Sequence, residues 1–252
     1  MRSELESRVV LIALLFLLPI TGGLLFNTIL DVQESKQFSN EINGYIEPKW
    51  LGYEIDKTQK SLVTVKCFDA IGSGFSFGLD ATDVINGFSF KSELLTETGS
   101  YIVTNAHVIA ACLETEPKIS FEGESTGTAR IIAVDVENDL ALMETSKSIP
   151  PLFGSYSVPW TGFWVMALGS PHSFPGSVTF GNIINRDSSL IFTTASLSPG
   201  NSGGPLIDNE GFVYGINSGS KPVGQNFNIS IGVNTLCEKL IACPSARYWE
   251  EE

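Results

Sequence analysis

Ser198-Pro199-Gly200-Asn201-Ser202-Gly203-Gly204-Pro205-Leu206 is a polar, glycine-dense turn set between two apolar segments. A serine flanked by glycines can present its hydroxyl at an exposed bend, and small neighbours let backbone N–H groups approach the same point. That combination suits acyl transfer. Ser202 attacks a carbonyl carbon, and the Gly200-Asn201-Ser202 turn, through the N–H groups of Gly200 and Ser202, holds the oxyanion that forms. The same residue types also punctuate ordinary surface loops, so the motif alone leaves both readings open.

Two upstream positions bear on the choice. Tyr101-Ile102-Val103-Thr104-Asn105-Ala106-His107-Val108-Ile109 is an alternating apolar run that leads into a histidine, and Glu137-Asn138-Asp139-Leu140-Ala141-Leu142 places an aspartate at the head of an apolar run. A serine hydroxyl is too weakly acidic to attack unaided. His107 takes its proton and returns it to the leaving group, while Asp139 fixes the imidazole tautomer and stabilises the imidazolium. The chain order His, Asp, Ser is that of the chymotrypsin fold and differs from the orders of α/β-hydrolases and subtilisins.

Thr104-Asn105-Ala106-His107-Val108, Asn138-Asp139-Leu140-Ala141 and Pro199 to Leu206 together resemble the three catalytic motifs of trypsin-like serine peptidases, in their HtrA-like (Deg) bacterial branch. Gly72-Ser73-Gly74-Phe75, Leu168-Gly169-Ser170-Pro171 and Val178-Thr179-Phe180-Gly181 resemble the same branch. The similarity runs over roughly residues 60–242. It implies an all-β fold of two antiparallel six-stranded β-barrels with a C-terminal helix. His107 and Asp139 then come from the first barrel and Ser202 from the second. The implied activity is a serine endopeptidase acting on protein or peptide substrates, with no cofactor.

The elements that must position these residues are legible as short strands. Apolar alternation or β-rich runs occur at 61–68, 118–121, 129–135, 140–144, 163–168, 177–185, 189–194, 205–208, 212–217 and 226–233, nearly all separated by turn residues. Many short strands with regular breaks indicate a sandwich or barrel and not βαβ units. Residues 235–242 form a helical candidate that Pro244 stops. Residues 79–99 are weakly patterned and read as a surface insertion near the histidine, either a loop that shapes the cleft or a tolerated insertion.

With 252 residues and 43% hydrophobic content, the chain can supply the core of one such domain. We divide it into an N-terminal segment 1–30, a polar stalk 31–60, a peptidase domain 61–245 and an acidic tail 246–252. A formal charge of −13 argues against a nucleic-acid partner, whose phosphates demand clustered Lys and Arg.

Val9 to Leu30 contains no charged residue and follows Arg2 and Arg8. Its length suffices for a transmembrane helix, and the charge asymmetry keeps the short end in the cytoplasm. The preferred reading is a single-pass anchor in the cell membrane with the catalytic domain outside the cytoplasm. The alternative is a cleaved signal peptide, giving a secreted or periplasmic enzyme. Anchoring is preferred because apolar character continues through Leu30 and no small-x-small alanine site appears.

Four cysteines, Cys67, Cys112, Cys237 and Cys243, permit three pairings. By analogy with related peptidases that bridge the histidine loop, Cys67 and Cys112 form one disulfide; two buried thiols are the alternative. Pairing of Cys237 with Cys243 needs the helix to end between them. A zinc site is disfavoured, because His107 and His172 do not stand at ligand spacing with the cysteines. His172, in a Gly-Pro-rich stretch, reads as a loop residue and not as a second base.

The resemblance also implies a specificity site. Ser196 lies at the base of the P1 pocket, and Asn217, Ser218 and Gly219 form the edge strand that pairs with the substrate backbone. With no carboxylate at position 196, a small or apolar P1 residue is expected and a basic one is not. Asn201 stands where trypsin uses an aspartate to receive a new N-terminus, so activation by that ion pair is not expected. The sequon Asn228-Ile229-Ser230 falls inside an expected strand and is read as incidental. Two other classes share the motifs: a non-catalytic trypsin-like binding module, which normally lacks a triad residue, and an esterase with the same triad.

Overall fold

The computed structural model describes residues 44–78, 84–85, 88–89, 99–121, 124–155, 159–171, 174–219 and 227–242. The expected membrane or signal segment, the acidic tail, His172 and Cys243 lie outside the described residues. Among the described residues, no helix is long and apolar enough to cross a membrane.

The first half of the domain contains helix α1 (Leu51–Gln59), β1 (Leu62–Cys67), β2 (Ala70–Ser76), β3 (Val84–Ile85), β4 (Phe88–Ser89), β5 (Ser100–Thr104), α2 (Ala106–Ile109), β6 (Lys118–Phe121), β7 (Glu124–Thr128), β8 (Arg130–Asp135) and β9 (Leu140–Thr145). Seven of these strands make one antiparallel sheet in the order β7-β6-β1-β2-β5-β9-β8. A closed six-stranded barrel was expected here; among the described residues the sheet is not closed by a hydrogen-bonded ladder. Its two end strands, β7 and β8, are consecutive in the chain and meet at Ala129, which is buried and donates its N–H to the Pro117 carbonyl. The bent path from 124 to 135 therefore serves both ends of the sheet. Sequence alternation detected only its second arm, because Glu124 to Thr128 carries no apolar residue apart from glycine.

The second half contains β10 (Trp164–Gly169), β11 (Ser177–Arg186), β12 (Leu190–Thr193), β13 (Pro205–Ile207), β14 (Val213–Gly219), β15 (Asn228–Gly232), a short helix α3 (Val233–Thr235), a π-type turn (Leu236–Leu240) and β16 (Ile241–Ala242). Strands β10-β11-β12-β15-β14-β13 form the expected closed barrel. The C-terminal helix differs from expectation: it starts two residues early, loosens after one turn and ends as a strand. Ile241 and Ala242 pair with Ile85 and Val84, making a three-stranded sheet β16-β3-β4 with part of the 79–99 insertion. The buried Leu236, Cys237, Leu240 and Ile241 mimic a helical spacing. The strand partners of Ile241 and Ala242 come from a segment about 150 residues away, which local periodicity cannot reveal.

Strands β5 and β9 bury both faces. Tyr101, Val103, Leu140 and Leu142 join one large cluster with Val165, Leu168, Leu206 and Ile216 of the barrel. Ile102, Ala141 and Met143 point the other way, to Val63, Val65, Ile109 and Ile119. This is why these strands read as nearly continuous apolar runs in place of a clean alternation. It also places the residues that follow β5 and precede β9 at the junction of the two halves.

The segment expected as a stalk is partly folded onto the domain. The Gly44 carbonyl accepts from Trp164 N, Tyr45 packs edge-on against Phe163 at 4.8 Å, and the Asn209 amide donates to the Ile46 carbonyl. Leu51 and Ile55 of α1 pack on the large cluster, and the Gln59 amide donates to the Gly176 carbonyl. Trp50 and Tyr53 face solvent. Only two apolar residues of α1 reach the core, too few to mark the segment as amphipathic.

At the β13–β14 turn, Asp208 is buried and accepts from Glu210 N, Phe212 N (both 2.9 Å) and Ser155 Oγ (2.9 Å). Burial pushes its carboxyl up to about 6 despite these donors, with the Glu210 charge adding to the rise. Between about pH 4 and pH 6 the folded chain holds a proton that the unfolded chain has released. Stability therefore falls as pH rises through that window and is level above it. A shift of two units amounts to about 3 kcal/mol at most. We expect Asp208→Asn to gain stability relative to wild type between pH 4 and pH 7.5 by a substantial part of that amount. Denaturant titrations at the two pH values check this; an equal difference at both counts against it.

Candidate active site

The turn that carries Ser202 is held by its own backbone and by the first sheet. Gly200 has φ +104° and Gly203 φ +87°, conformations that favour glycine. A Cβ at Gly203 would lie 2.1 Å from the Ser73 carbonyl oxygen and 2.3 Å from Thr104 Oγ1, so glycine is required there twice over. Asn201 N donates to the Ser198 carbonyl (2.9 Å), Gly204 N to the Asn201 carbonyl (3.0 Å) and Gly203 N to the Asn217 carbonyl (2.7 Å). Among the described residues, the N–H groups of Gly200 and Ser202 have no acceptor.

His107 sits in α2, immediately after β5. The Cys67–Cys112 disulfide spans 45 residues and ties the end of β1 to the 3₁₀ turn that follows this helix (Cα–Cα 5.7 Å). In the chain-entropy description a loop of that length contributes about 4 kcal/mol. Gly72 admits the helix closely, since a Cβ there would lie 2.6 Å from both Val108 methyl groups. Cys237 is disulfide-bonded as well.

Asp139 closes the four-residue turn between β8 and β9 with φ +55°, a left-handed conformation that Asp and Asn tolerate better than most residues. Its backbone carbonyl accepts from Asn105 Nδ2 (2.9 Å), a buried side chain two residues before His107. The Asp139 carboxylate receives His107 Nδ1 at 2.8 Å on Oδ2 and 3.0 Å on Oδ1, and His107 N at 3.0 Å on Oδ1. Ser218 Oγ donates to Oδ2 at 2.9 Å. Burial pushes the carboxyl up, but the bonds from His107 and Ser218 and the histidine's charge outweigh it. The net result lies below the ordinary carboxylate value. In the sequence Asn105 resembles a simple N-cap, but its side chain caps nothing and reaches Asp139, 34 residues away, a partner that local spacing cannot indicate.

Ser202 Oγ donates to the Ser218 carbonyl at 3.1 Å and forms no hydrogen bond with His107 among the described residues. Ser218 thus touches both the aspartate and the serine, a closer involvement than the substrate-edge position expected for it. It is the extra residue at a register shift between β14 and β15, so its side chain turns toward Asp139 while its neighbours keep the ladder.

The other residues assigned to substrate binding divide. Asn217 is buried and fully engaged: Nδ2 donates to the Leu168 and Pro205 carbonyls, Oδ1 accepts from Ser230 Oγ, and the backbone bonds Gly203 and Gly204. It holds the serine turn against the barrel and offers nothing to a ligand. Gly219, at φ +139°, is partly exposed. Ser196 is exposed, and its carbonyl accepts from Thr179 Oγ1. The next residue, the partly buried Leu197, is held through its N–H by Asn228 Oδ1 (3.0 Å). That bond, with burial in β15, withdraws the Asn228 sequon from modification in the folded chain.

We expect Gly200→Ala to lower kcat by about 100-fold, the size of effect seen when one oxyanion donor is lost. Alanine disfavours φ +104°, so the 199–200 peptide must turn its N–H elsewhere. Steady-state kinetics beside a thermal melt would check this, and a kcat within threefold of wild type would contradict it.

The arrangement invites comparison with known proteins. Residues 85–216, just over half of the chain and including all three residues, match the family described as "Trypsin-like peptidase domain". A probable periplasmic serine endoprotease DegP-like of Hahella chejuensis is 36% identical over 140 residues, which cover 52% of this chain and 29% of that protein. The mitochondrial serine protease HTRA2 of Drosophila pseudoobscura pseudoobscura is 34% identical over 154 residues, covering 56% and 36%. The matched part is thus about a third of the length of these relatives. The serine endoprotease from Yersinia pestis shares the fold, with a TM-score of 0.60 at 23% identity over 75% of this chain and 64% of that one. With one closed barrel, a second β-sheet packed beside it and the motif-bearing turns at their junction, the chain belongs to the trypsin-like peptidase domain family.

Proposed function

We propose that the chain is an exported serine endopeptidase that cleaves peptide bonds through an acyl-enzyme on Ser202. The observation that carries this reading is the run of hydrogen bonds from His107 Nδ1 to Asp139, from Ser218 Oγ to the same carboxylate and from Ser202 Oγ to the Ser218 carbonyl. It gathers groups from both halves of the domain, and a surface loop has no use for it.

A rotation about χ1 releases the Ser202 hydroxyl from Ser218 and turns it to His107 Nε2. The proton passes to His107 as Oγ bonds to the substrate carbonyl carbon, and the N–H groups of Gly200 and Ser202 receive the oxyanion. Collapse breaks the C–N bond, with His107 protonating the departing amine. Water then repeats the sequence on the acyl-enzyme. The Ser218 carbonyl, vacated by Ser202, becomes an acceptor for a substrate N–H. Leu197, held by Asn228, supplies an apolar surface beside Ser196, in keeping with a small or apolar P1 residue.

Residues 9–30 are proposed to direct export, as an anchor or as a cleaved signal. The periplasmic description of the DegP-like relative is consistent with a location outside the cytoplasm.

A second reading, a latent enzyme or binding module, draws on one observation: Ser202 Oγ rests on Ser218 and not on His107. Fluorophosphonate labelling of the full-length chain, read by intact mass, separates the two. A single adduct that is absent from Ser202→Ala supports the peptidase. A folded protein that takes no label supports latency. Turnover of peptides and of simple esters, compared on unlabelled protein from the same preparation, then tests peptidase against esterase.

A further inference from the structure

We infer that Ser73, in the first sheet, is a positioning residue that sets the oxyanion turn of the second barrel. The inference rests on the reading of Ser202 as the nucleophile. Ser73 is fully buried in β2 and forms four hydrogen bonds, three of them across the junction to the second half and one to Thr104 of its own sheet. Its Oγ donates to the Gly200 carbonyl at 2.6 Å and accepts from Ser170 N at 2.8 Å. Its N–H donates to the Ser202 carbonyl at 2.7 Å, and its own carbonyl accepts from Thr104 Oγ1 at 2.6 Å.

A trans peptide is planar, so its N–H and C=O point in opposite directions and anchoring one end aims the other. In the 200–201 peptide, the carbonyl is held by Ser73 Oγ and the N–H by the Ser198 carbonyl. In the 202–203 peptide, the carbonyl is held by Ser73 N and the N–H by the Asn217 carbonyl. In the 201–202 peptide, the carbonyl is held by Gly204 N, which aims the Ser202 N–H the other way. Only the 199–200 peptide, which carries the Gly200 N–H, lacks such an anchor among the described residues. It is kept in place from its C-terminal side, by a Gly200 whose carbonyl Ser73 fixes. Glycine at φ +104° rotates at little steric cost, so without the Ser73 hydroxyl the turn can relax and the N–H swings away.

The same residue joins the serine to the histidine. Thr104, three residues before His107, bonds the Ser73 carbonyl, while Ser170 N at the end of β10 bonds its hydroxyl. One side chain from the half that carries His107 and Asp139 thus registers the turn that carries Ser202.

The test is steady-state and inhibitor kinetics on the full-length chain with Ser73→Ala, which removes the hydroxyl and keeps both backbone bonds. The expected result is a folded protein with kcat lower by about 50-fold, somewhat less than direct loss of an oxyanion donor. KM should stay within twofold, and the pH midpoint of kcat/KM should be unchanged. A peptide boronate, whose tetrahedral adduct uses the oxyanion site, should bind more weakly by the same factor as kcat/KM. Ser73→Thr, which keeps the hydroxyl, should recover kcat to within fivefold of wild type. If Ser73→Ala does not unfold cooperatively, Ser73→Cys, with a weakly donating thiol, carries the same comparison and is expected to lose at least tenfold in kcat. A folded Ala or Cys variant with kcat within threefold of wild type, or a loss confined to KM, overturns the inference. Ser202→Ala alongside keeps the readings apart: activity persisting there removes the nucleophile, whereas an inactive Ser202→Ala beside a fully active Ser73→Ala removes only the clamp.

Discussion

Ser202→Ala is expected to lower kcat by about a millionfold while leaving the thermal midpoint within a few degrees of wild type. The scale follows from losing a nucleophile that acts as a unit with its base. The structural argument for an intact fold is that the Ser202 backbone, and not its side chain, does the holding. The Ser202 carbonyl accepts from Ser73 N, whereas the hydroxyl makes one bond, 3.1 Å long, to the Ser218 carbonyl. Alanine keeps the first and forfeits only the second. Hydrolysis of a peptide anilide and a melting curve on the same preparation are the measurements. Residual turnover within a hundredfold of wild type would mean that another residue is the nucleophile.

Asp139→Asn should cost about 10⁴-fold in kcat, the loss that follows when the imidazole is held in the wrong tautomer. The carboxylate accepts three donors: His107 Nδ1, His107 N and Ser218 Oγ. An amide can accept from only part of that set and presents N–H groups of its own, which favour a His107 protonated at Nε2. That histidine cannot take the Ser202 proton. Asparagine is the informative substitution because it tolerates the φ of +55° as aspartate does, and because the Asn105 bond goes to the backbone carbonyl, which every residue retains. Alanine would mix a backbone penalty into the kinetic loss. A decrease of less than tenfold in a folded Asp139→Asn protein would transfer the orienting role to another group.

The two results would separate what each half of the domain contributes. Ser202 tests the barrel's turn, and Asp139 tests the sheet that presents the histidine. Ser218 lies between them, with its hydroxyl on Asp139 and its carbonyl on Ser202, so it couples both halves.

Much of this protein was legible in residue order. The three motifs pointed to His107, Asp139 and Ser202 as candidates, since side chain types beside small or apolar neighbours are local information, and the structure joins His107 to Asp139 and links Ser202 to both through Ser218. The strands were readable wherever one residue in two is apolar, as in β1, and wherever a turn interrupts the run, as between β11 and β12. The Cys67–Cys112 bridge could be anticipated only from resemblance, and the structure contains it.

What the tertiary structure decided lies in contacts between residues far apart in the chain. Helix α1 folds onto the core through two side chains, below what periodicity can register. The C-terminal segment leaves its helix because Ile241 finds Ile85 as a strand partner. Asn217, read as part of a ligand edge, is consumed by bonds to Leu168, Pro205 and Ser230. Ser73 stood in the sequence as one small residue between two glycines, and its hydroxyl acquires meaning only when Gly200, 127 positions away, closes to 2.6 Å. A sequence states which groups can do chemistry. The directions in which their hydrogen bonds point are set by packing two β-structures together, because the energy of a hydrogen bond depends on angles that no single segment controls.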